Sequence, residues 1–279
     1  MQIREYSLPA GWYPRDAGSV SAFLSGFKKE AEKNGIYGCA AVSPHAGWYY
    51  SGRTAAIGVS SLNPAPDTIV IIGGHLSASS PALFAMEDAV RTPFGSMRIN
   101  AKLRETLLTE LDGAEDRYRD NTVETLLPMA HYFFPDAELL WLRLPSGAGS
   151  YEAGKTIRRI ASELGIKVNA LASTDLTHYG GNYGFAPKGS GKDALRWVRE
   201  VNDAAFIKAV ESGDADEVLR RANEDSSSCS AGAVLGAMGF AQGYKARLLD
   251  YATSADAGTD GNTPDSFVGY AAFAFDVNN

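Results

Sequence analysis

Glu138-Leu-Leu-Trp-Leu-Arg-Leu144 and Lys167-Val-Asn-Ala-Leu-Ala-Ser173 are two short apolar runs, and the helically spaced stretch Tyr151–Leu164 lies between them. Runs of this length bounded by turn signals read as buried strands, so the segment reads strand–helix–strand. Working outward, the same alternation recurs. Further strands are expected at Cys39–Ser43, Thr68–Gly74 and Val268–Phe275, with a weaker one at Ala246–Tyr251. Helical spacing marks Val20–Lys33, Thr54–Ser61, Ala101–Leu111, Asp193–Val210 and Ala231–Gln242. Strands alternating with helices predict an α/β protein, a mostly parallel central sheet covered by helices. No linker or repeat divides residues 1–279, which are expected to form one domain. The irregular segments Tyr179–Lys192 and Thr253–Asp265 read as long surface loops near a site.

Hydrophobic residues make up 45% and charged residues 21%, values of an ordinary globular chain. The net charge is −7, from 26 basic and 33 acidic residues, and the basic residues form no stripe, which argues against nucleic acid as a partner. The two cysteines, Cys39 and Cys229, make no disulfide framework and suit a reducing compartment. Residues 1–6 lack the pattern of a signal peptide, and no apolar run approaches the ~20 residues of a membrane span. The expectation is a cytoplasmic protein with no membrane partner.

The four histidines carry the functional reading. His45 follows the first strand in Ser43-Pro-His-Ala-Gly-Trp48, His75 ends the second in Ile72-Gly-Gly-His75, and His178 follows Ser173-Thr-Asp-Leu-Thr, which also holds Asp175. Ligands of open α/β sheets bind beyond the carboxyl ends of the strands, so these three side chains are placed to share a pocket. Adjacent glycines allow close backbone approach to a ligand. His131 differs, because Leu126–Phe134 reads as an ordinary helix. Cys229 precedes the Ala231–Gln242 helix, and a helix N-terminus biases a thiol toward the thiolate that ligates metals or attacks electrophiles. Cys39, opening an apolar strand, reads as a small buried hydrophobe. Imidazoles with a thiolate or carboxylate suit iron, copper or zinc alike. No P-loop, dinucleotide fingerprint or Gly-x-Ser-x-Gly elbow occurs.

Gly11-Trp-Tyr-Pro14, Pro44-His-Ala-Gly-Trp-Tyr-Tyr-Ser-Gly52, Arg91-Thr-Pro-Phe-Gly95, Ser173-Thr-Asp-Leu-Thr-His178 and Asp250-Tyr-Ala-Thr-Ser254 occur in the order seen in the Memo-like proteins, also called AmmeMemoRadiSam system protein B. The chain resembles that family from about residue 10 to its C-terminus. The resemblance implies a fold like that of class III extradiol dioxygenases, which hold non-haem iron. It implies a metal on His45, His75 and Cys229, iron or copper before zinc, with no organic cofactor. His178, Asp175 and Glu124 would be the catalytic groups. It further implies a small-molecule or peptide ligand and a functional link to a radical-SAM enzyme. Two departures stand out. Gly73-Gly-His75 is one residue shorter than the family's Gly-Pro-x-His. The family's Glu-His-Ser-x-Glu-x-His-Leu-Pro reads Asp120-Asn-Thr-Val-Glu-Thr-Leu-Leu-Pro128, with Asn121 and Leu126 in place of histidines.

Three functional classes follow. A metal-dependent oxidoreductase would use His178 as general acid/base and Asp175 to orient it, with Trp48, Tyr49 and Tyr179 walling the pocket. A non-catalytic binding module would hold a peptide or small anion, with Arg53 at a helix start meeting the acidic group. A metal-assisted hydrolase would need Glu124 or Asp175 as base.

Overall fold

The computed structural model of the chain describes residues 1–34, 37–258 and 263–276. Its strands are β1 (Ile3–Arg4), β2 (Ala40–Ser43), β3 (Thr68–Gly73), β4 (Leu83–Phe84), β5 (Ala89–Thr92), β6 (Gly95–Arg98), β7 (Ala114–Glu115), β8 (Glu138–Arg143), β9 (Val168–Ser173), β10 (His178–Gly180), β11 (Lys245–Thr253) and β12 (Ser266–Asp276). The helices are α1 (Ala17–Asn34), α2 (Trp48–Ser60), α3 (Ala101–Glu110), α4 (Asn121–Glu124), α5 (Leu127–Phe133), α6 (Gly149–Glu163), α7 (Lys192–Trp197), α8 (Asp203–Ser212), α9 (Ala215–Glu224) and α10 (Ala231–Phe240). None of the helices described is long and apolar enough to cross a membrane.

The main sheet runs β10-β12-β2-β9-β3-β8-β4-β7, with β11 also on β12, and β1, β5 and β6 form a small separate sheet. The expected parallel sheet is correct only at the centre. Strands β2, β9, β3 and β8 are parallel, while β10, β11 and β2 all pair antiparallel with β12, and β4 is antiparallel to β8. The sheet is therefore mixed. The reason is connection length: a parallel pair needs a crossover of a dozen or more residues, usually a helix, as α6 provides between β8 and β9. Between β11 and β12 only a short 3₁₀ turn, Ser254–Ala257, is described.

Alternation along the central strands builds two cores. Val70 and Ile72 of β3 face Ile157 of α6, Phe206 of α8 and Val234 of α10, whereas Ile69 and Ile71 face Leu24 of α1, Val59 of α2 and Met129 of α5. A strand buried on both faces has no polar register to show, which is why Thr-Ile-Val-Ile-Ile reads as one continuous apolar run. Every residue of α10 is buried. Glycines let α6 approach it: a β-carbon on Gly154 would stand 2.0 Å from the Gly236 carbonyl oxygen. The expected Asp193–Val210 helix is interrupted by a π turn at Val198–Asn202. Of the expected Thr253–Asp265 loop, residues 259–262 lie outside the described residues.

The strand order places the site. β2, β9 and β3 are consecutive neighbours and parallel, with Ser43 level with Ser173 and Ile72 level with Ala172. Their carboxyl ends emerge side by side, and these are the ends that carry His45, the Thr174–His178 turn and His75.

Candidate metal centre and cleft

One residue past the end of β2 plus a proline, His45 is 1% exposed and held on every side. Its Nδ1 lies 2.8 Å from Ser173 Oγ at the end of the neighbouring strand. Its backbone N–H donates to Asp175 Oδ1 at 2.8 Å, and its carbonyl accepts from Asn121 Nδ2 at 3.0 Å. This leaves Nε2 facing Cys229 Sγ at 3.3 Å. His75 meets His45 edge-on, with ring centroids 4.9 Å apart. The His75 backbone has φ of 56°, a left-handed value that a non-glycine residue adopts at a cost of about 1–3 kcal/mol. The donor atoms of His45, His75 and Cys229 all lie within 4.8 Å of one another, a separation at which one metal ion could bind all three. Two imidazoles and a soft thiolate fit a late first-row transition metal and not magnesium or calcium.

The glycines before His75 serve packing. A β-carbon on Gly73 would stand 2.3 Å from Thr122 Oγ1, and one on Gly74 would stand 2.4 Å from Ser230 Cβ. The close approach expected of a ligand is made here by α4 and by the start of α10.

Behind His75 lies a chain of charge that the sequence reading did not assign. His75 Nδ1 is 3.0 Å from Asp120 Oδ2, which also meets Arg143 Nη2 at 3.3 Å. Arg143 continues to Asp116 Oδ1 at 3.3 Å and donates from Nε to the Gly74 carbonyl at 2.9 Å, while Trp141 Nε1 donates to Asp116 at 2.9 Å. A carboxylate behind a ligating imidazole fixes its tautomer and orientation, here leaving Nε2 for a metal. The readable signal was Arg143, a cation closing the apolar strand Leu139–Leu142, since a buried guanidinium requires carboxylates nearby.

Cys229 sits just before α10, as expected, with its N–H donating to the Asp175 carbonyl at 3.2 Å. Burial pushes its thiol up, but His45 and His75 outweigh burial and hold it well below the ordinary range. Burial likewise lowers both imidazoles. For His45 the Asp175 and Cys229 charges reverse it; for His75 the Asp120 hydrogen bond and Cys229 push the pKa up to about 10. The thiolate and the imidazolium forms thus favour one another, and a metal cation binding there competes with protons for the same donor atoms.

His178 begins β10 with Nε2 3.8 Å from Asp175 Oδ2, so Asp175 serves both histidines. Burial lowers the His178 pKa, and the neighbouring Asp175 carboxylate and Cys229 thiolate override this and raise it. Both residues line an open cleft of about 910 Å³, walled by Trp12, Tyr49, Tyr50, Tyr183 and Tyr270. The loops expected near a site contribute Asn182 and Tyr183 on one side and Ser254–Gly258 on the other.

Four expectations need correction. Glu124 is not with the catalytic group: its carboxylate accepts from Ser7 N at 2.9 Å, Leu8 N at 3.1 Å, Tyr13 Oη at 2.8 Å and from Ser7 Oγ. It clamps the N-terminal segment whose Ala10–Trp12 forms one wall of the cleft. Arg53 is not at a helix start, because α2 begins at Trp48, and its guanidinium is paired with Asp250 at 2.7 Å. Trp48 and Tyr179 are core residues, 6% and 0% exposed, while Tyr49 does reach the cleft. His131 bonds Thr92 Oγ1 at 2.6 Å and packs on Phe94, the structural role its helix suggested. Cys39 packs against the core, with its thiol pushed up to about 11 by burial.

The family model for Memo-like proteins matches residues 4–274, so the chain belongs to the Memo-like protein family. It is similar to a MEMO1 family protein of Pyrococcus horikoshii, 28% identical over 97% of this chain and 98% of that one. It is also similar to a MEMO1 family protein of Methanococcoides burtonii, 32% identical over 83% of this chain and 84% of that one. Among solved structures, an uncharacterized protein of Escherichia coli K12 covers 84% of this chain and 98% of its own at 14% identity and a TM-score of 0.44, a likeness too loose to argue from.

Proposed function

We propose that this chain is a non-haem metal-dependent oxidoreductase acting on a small molecule in the cleft. The observation that carries the reading is the convergence of the His45, His75 and Cys229 donor atoms within 4.8 Å, beside a cleft that Asp175 and His178 line. Iron or copper bound there would supply one-electron chemistry, whereas zinc would supply Lewis acidity only. His45 provides a donor shielded from water, and Cys229 a partly buried one. His75, its side chain 32% exposed, lies on the more open flank. His178, its Nε2 3.8 Å from Asp175 Oδ2, lines the cleft and is placed there to serve as general acid or base. The competing readings have each lost a residue. Hydrolysis loses Glu124 as base, leaving Asp175, and anion binding loses Arg53 to Asp250.

Elemental analysis of untagged protein tests this, with His45→Ala and Cys229→Ser in parallel and circular dichroism to verify folding. Near-stoichiometric iron or copper, lost in both variants, is the expected result. Zinc would move the reading to hydrolysis, and metal content unchanged in folded variants would show the site to be wrong.

A further inference from the structure

A serine at the head of a helix ordinarily turns its hydroxyl oxygen to the first free backbone N–H groups, which stabilises the helix. Ser230 stands at the head of α10 and makes no such bond. It is fully buried, and its hydroxyl has one hydrogen-bond partner among the described residues, the Cys229 sulfur at 3.6 Å. Gly74 closes the space behind it, since a β-carbon there would stand 2.5 Å from Ser230 Oγ. The hydroxyl is thus confined where it meets the sulfur, and buried hydroxyls are rarely placed without a partner to serve.

A second hydroxyl close to the sulfur is already committed. Thr174 Oγ1 lies 3.8 Å from Cys229 Sγ, but its proton goes to the Asp175 carbonyl at 2.8 Å, and it accepts from the Ser230 N–H at 3.2 Å. Ser228 Oγ, 2.8 Å from Thr174 Oγ1, bonds that threonine and not the sulfur. A thiolate carries no proton, so in the Ser230–Cys229 pair the hydroxyl is the donor. Each ligating side chain therefore has its own partner: Asp120 for His75, Ser173 for His45 and Ser230 for Cys229. These partners act in different directions. A carboxylate behind an imidazole makes it a stronger electron donor, whereas a hydroxyl donating to a thiolate draws charge off the sulfur. A sulfur that gives less charge stabilises an oxidised metal less, and hydrogen bonds to ligating sulfurs are one means by which proteins set a potential.

We propose that Ser230 is a positioning residue whose hydroxyl donates to the Cys229 thiolate and biases a metal held on His45, His75 and Cys229 toward its lower oxidation state. The proposal deepens the oxidoreductase reading and rests on it only for placing a metal on those three donors.

Full-length protein loaded anaerobically with cobalt(II) or with iron, beside Ser230→Ala and Ser228→Ala, tests it. The thiolate-to-cobalt charge-transfer band should move to lower energy in Ser230→Ala, because a sulfur without its hydrogen bond gives up electrons more readily. The iron potential should fall, with the preference for ferrous over ferric iron reduced about tenfold, or about 59 mV for one electron. Ser230→Gly, a residue also tolerated at the head of a helix, should give the same two shifts if the alanine variant does not fold. Ser228→Ala alters the same loop without touching the sulfur and should keep the wild-type band and potential. Circular dichroism and metal stoichiometry should stay those of wild type, since neither serine is a ligand. Band and potential unmoved in a folded Ser230 variant, an equal shift in Ser228→Ala, or wild type that takes up neither metal would overturn the proposal. The expected shifts in a protein that is purified with zinc would support it while removing the oxidoreductase reading. Native iron or copper with no shift on removing the hydroxyl would do the reverse.

Discussion

The buried acids on the two sides of the site make a controlled comparison. On the His75 side, Asp116 is 0% exposed and Asp120 nearly buried, and Arg143 bridges them. On the His178 side, Asp203 is equally buried but accepts only from neutral groups: the Thr177 N–H at 3.1 Å, the Thr177 hydroxyl and the Tyr251 hydroxyl at 2.8 Å. Burial pushes both carboxyls up. Around Asp120 the His75 and Thr122 hydrogen bonds and the Arg143 charge reverse this and hold it well below the usual range, whereas Asp203 is left raised to about 6. The same residue type stays ionised to low pH on one side and takes up a proton near pH 6 on the other. Neutral hydrogen bonds satisfy geometry, but a cation is needed to keep a buried carboxylate charged at low pH.

Removing the cation tests this most severely. Arg143→Met leaves Asp116 and Asp120 without the cation they share and should cost about 3–5 kcal/mol in denaturant unfolding. It should also release His75 and lower metal content. A loss below 1 kcal/mol would mean that water or rearrangement already screens those acids.

The neutral side gives a pH signature of intermediate size. The folded pKa of Asp203 lies above that of an unfolded aspartate, so the protonated form favours the folded state. Its contribution is complete below about pH 4 and is lost as pH rises through about 6, amounting to roughly 3 kcal/mol. Asp203→Asn should therefore flatten the stability curve across that window relative to wild type, whatever its effect at one pH. Parallel curves for the two proteins would place the titration elsewhere.

The smallest effect sharpens the link to the metal. In Asp120→Asn, His75 loses the carboxylate that orients it, and metal affinity measured by chelator competition should fall about 10–100-fold. Folding should change little, because Arg143 retains Asp116. An unchanged affinity would mean that the left-handed His75 backbone alone aims the ring.

How much of this was legible depends on the range of the interaction. Thr68–Gly73, Glu138–Arg143 and Val168–Ser173 announce themselves because strands buried on both faces are continuous apolar runs. The strand-exit histidines were legible for the same reason, since a strand's end marks where a cleft can form. The short strands Ile3–Arg4, Leu83–Phe84 and Ala114–Glu115 were not, being two residues long with no periodicity to read. Asp203 looked like an ordinary position inside a helix, and only the π turn before it and the proximity of Thr177 and Tyr251 reveal it as a buried acid.

By itself, then, the sequence determined the α/β class, the parallel centre of the sheet, and the presence of His45, His75, Asp175 and His178 at strand ends. Local apolar periodicity is enough for those. Tertiary structure alone decided that Cys229 reaches His45 from 184 positions away, that Arg143 and not a second imidazole backs His75 through Asp120, and that Glu124 turns to the N-terminal segment. It also decided that β12 runs antiparallel, making the sheet mixed. Each of these depends on which groups meet across the order β2-β9-β3, and a buried charge has its role assigned by the partner it finds there.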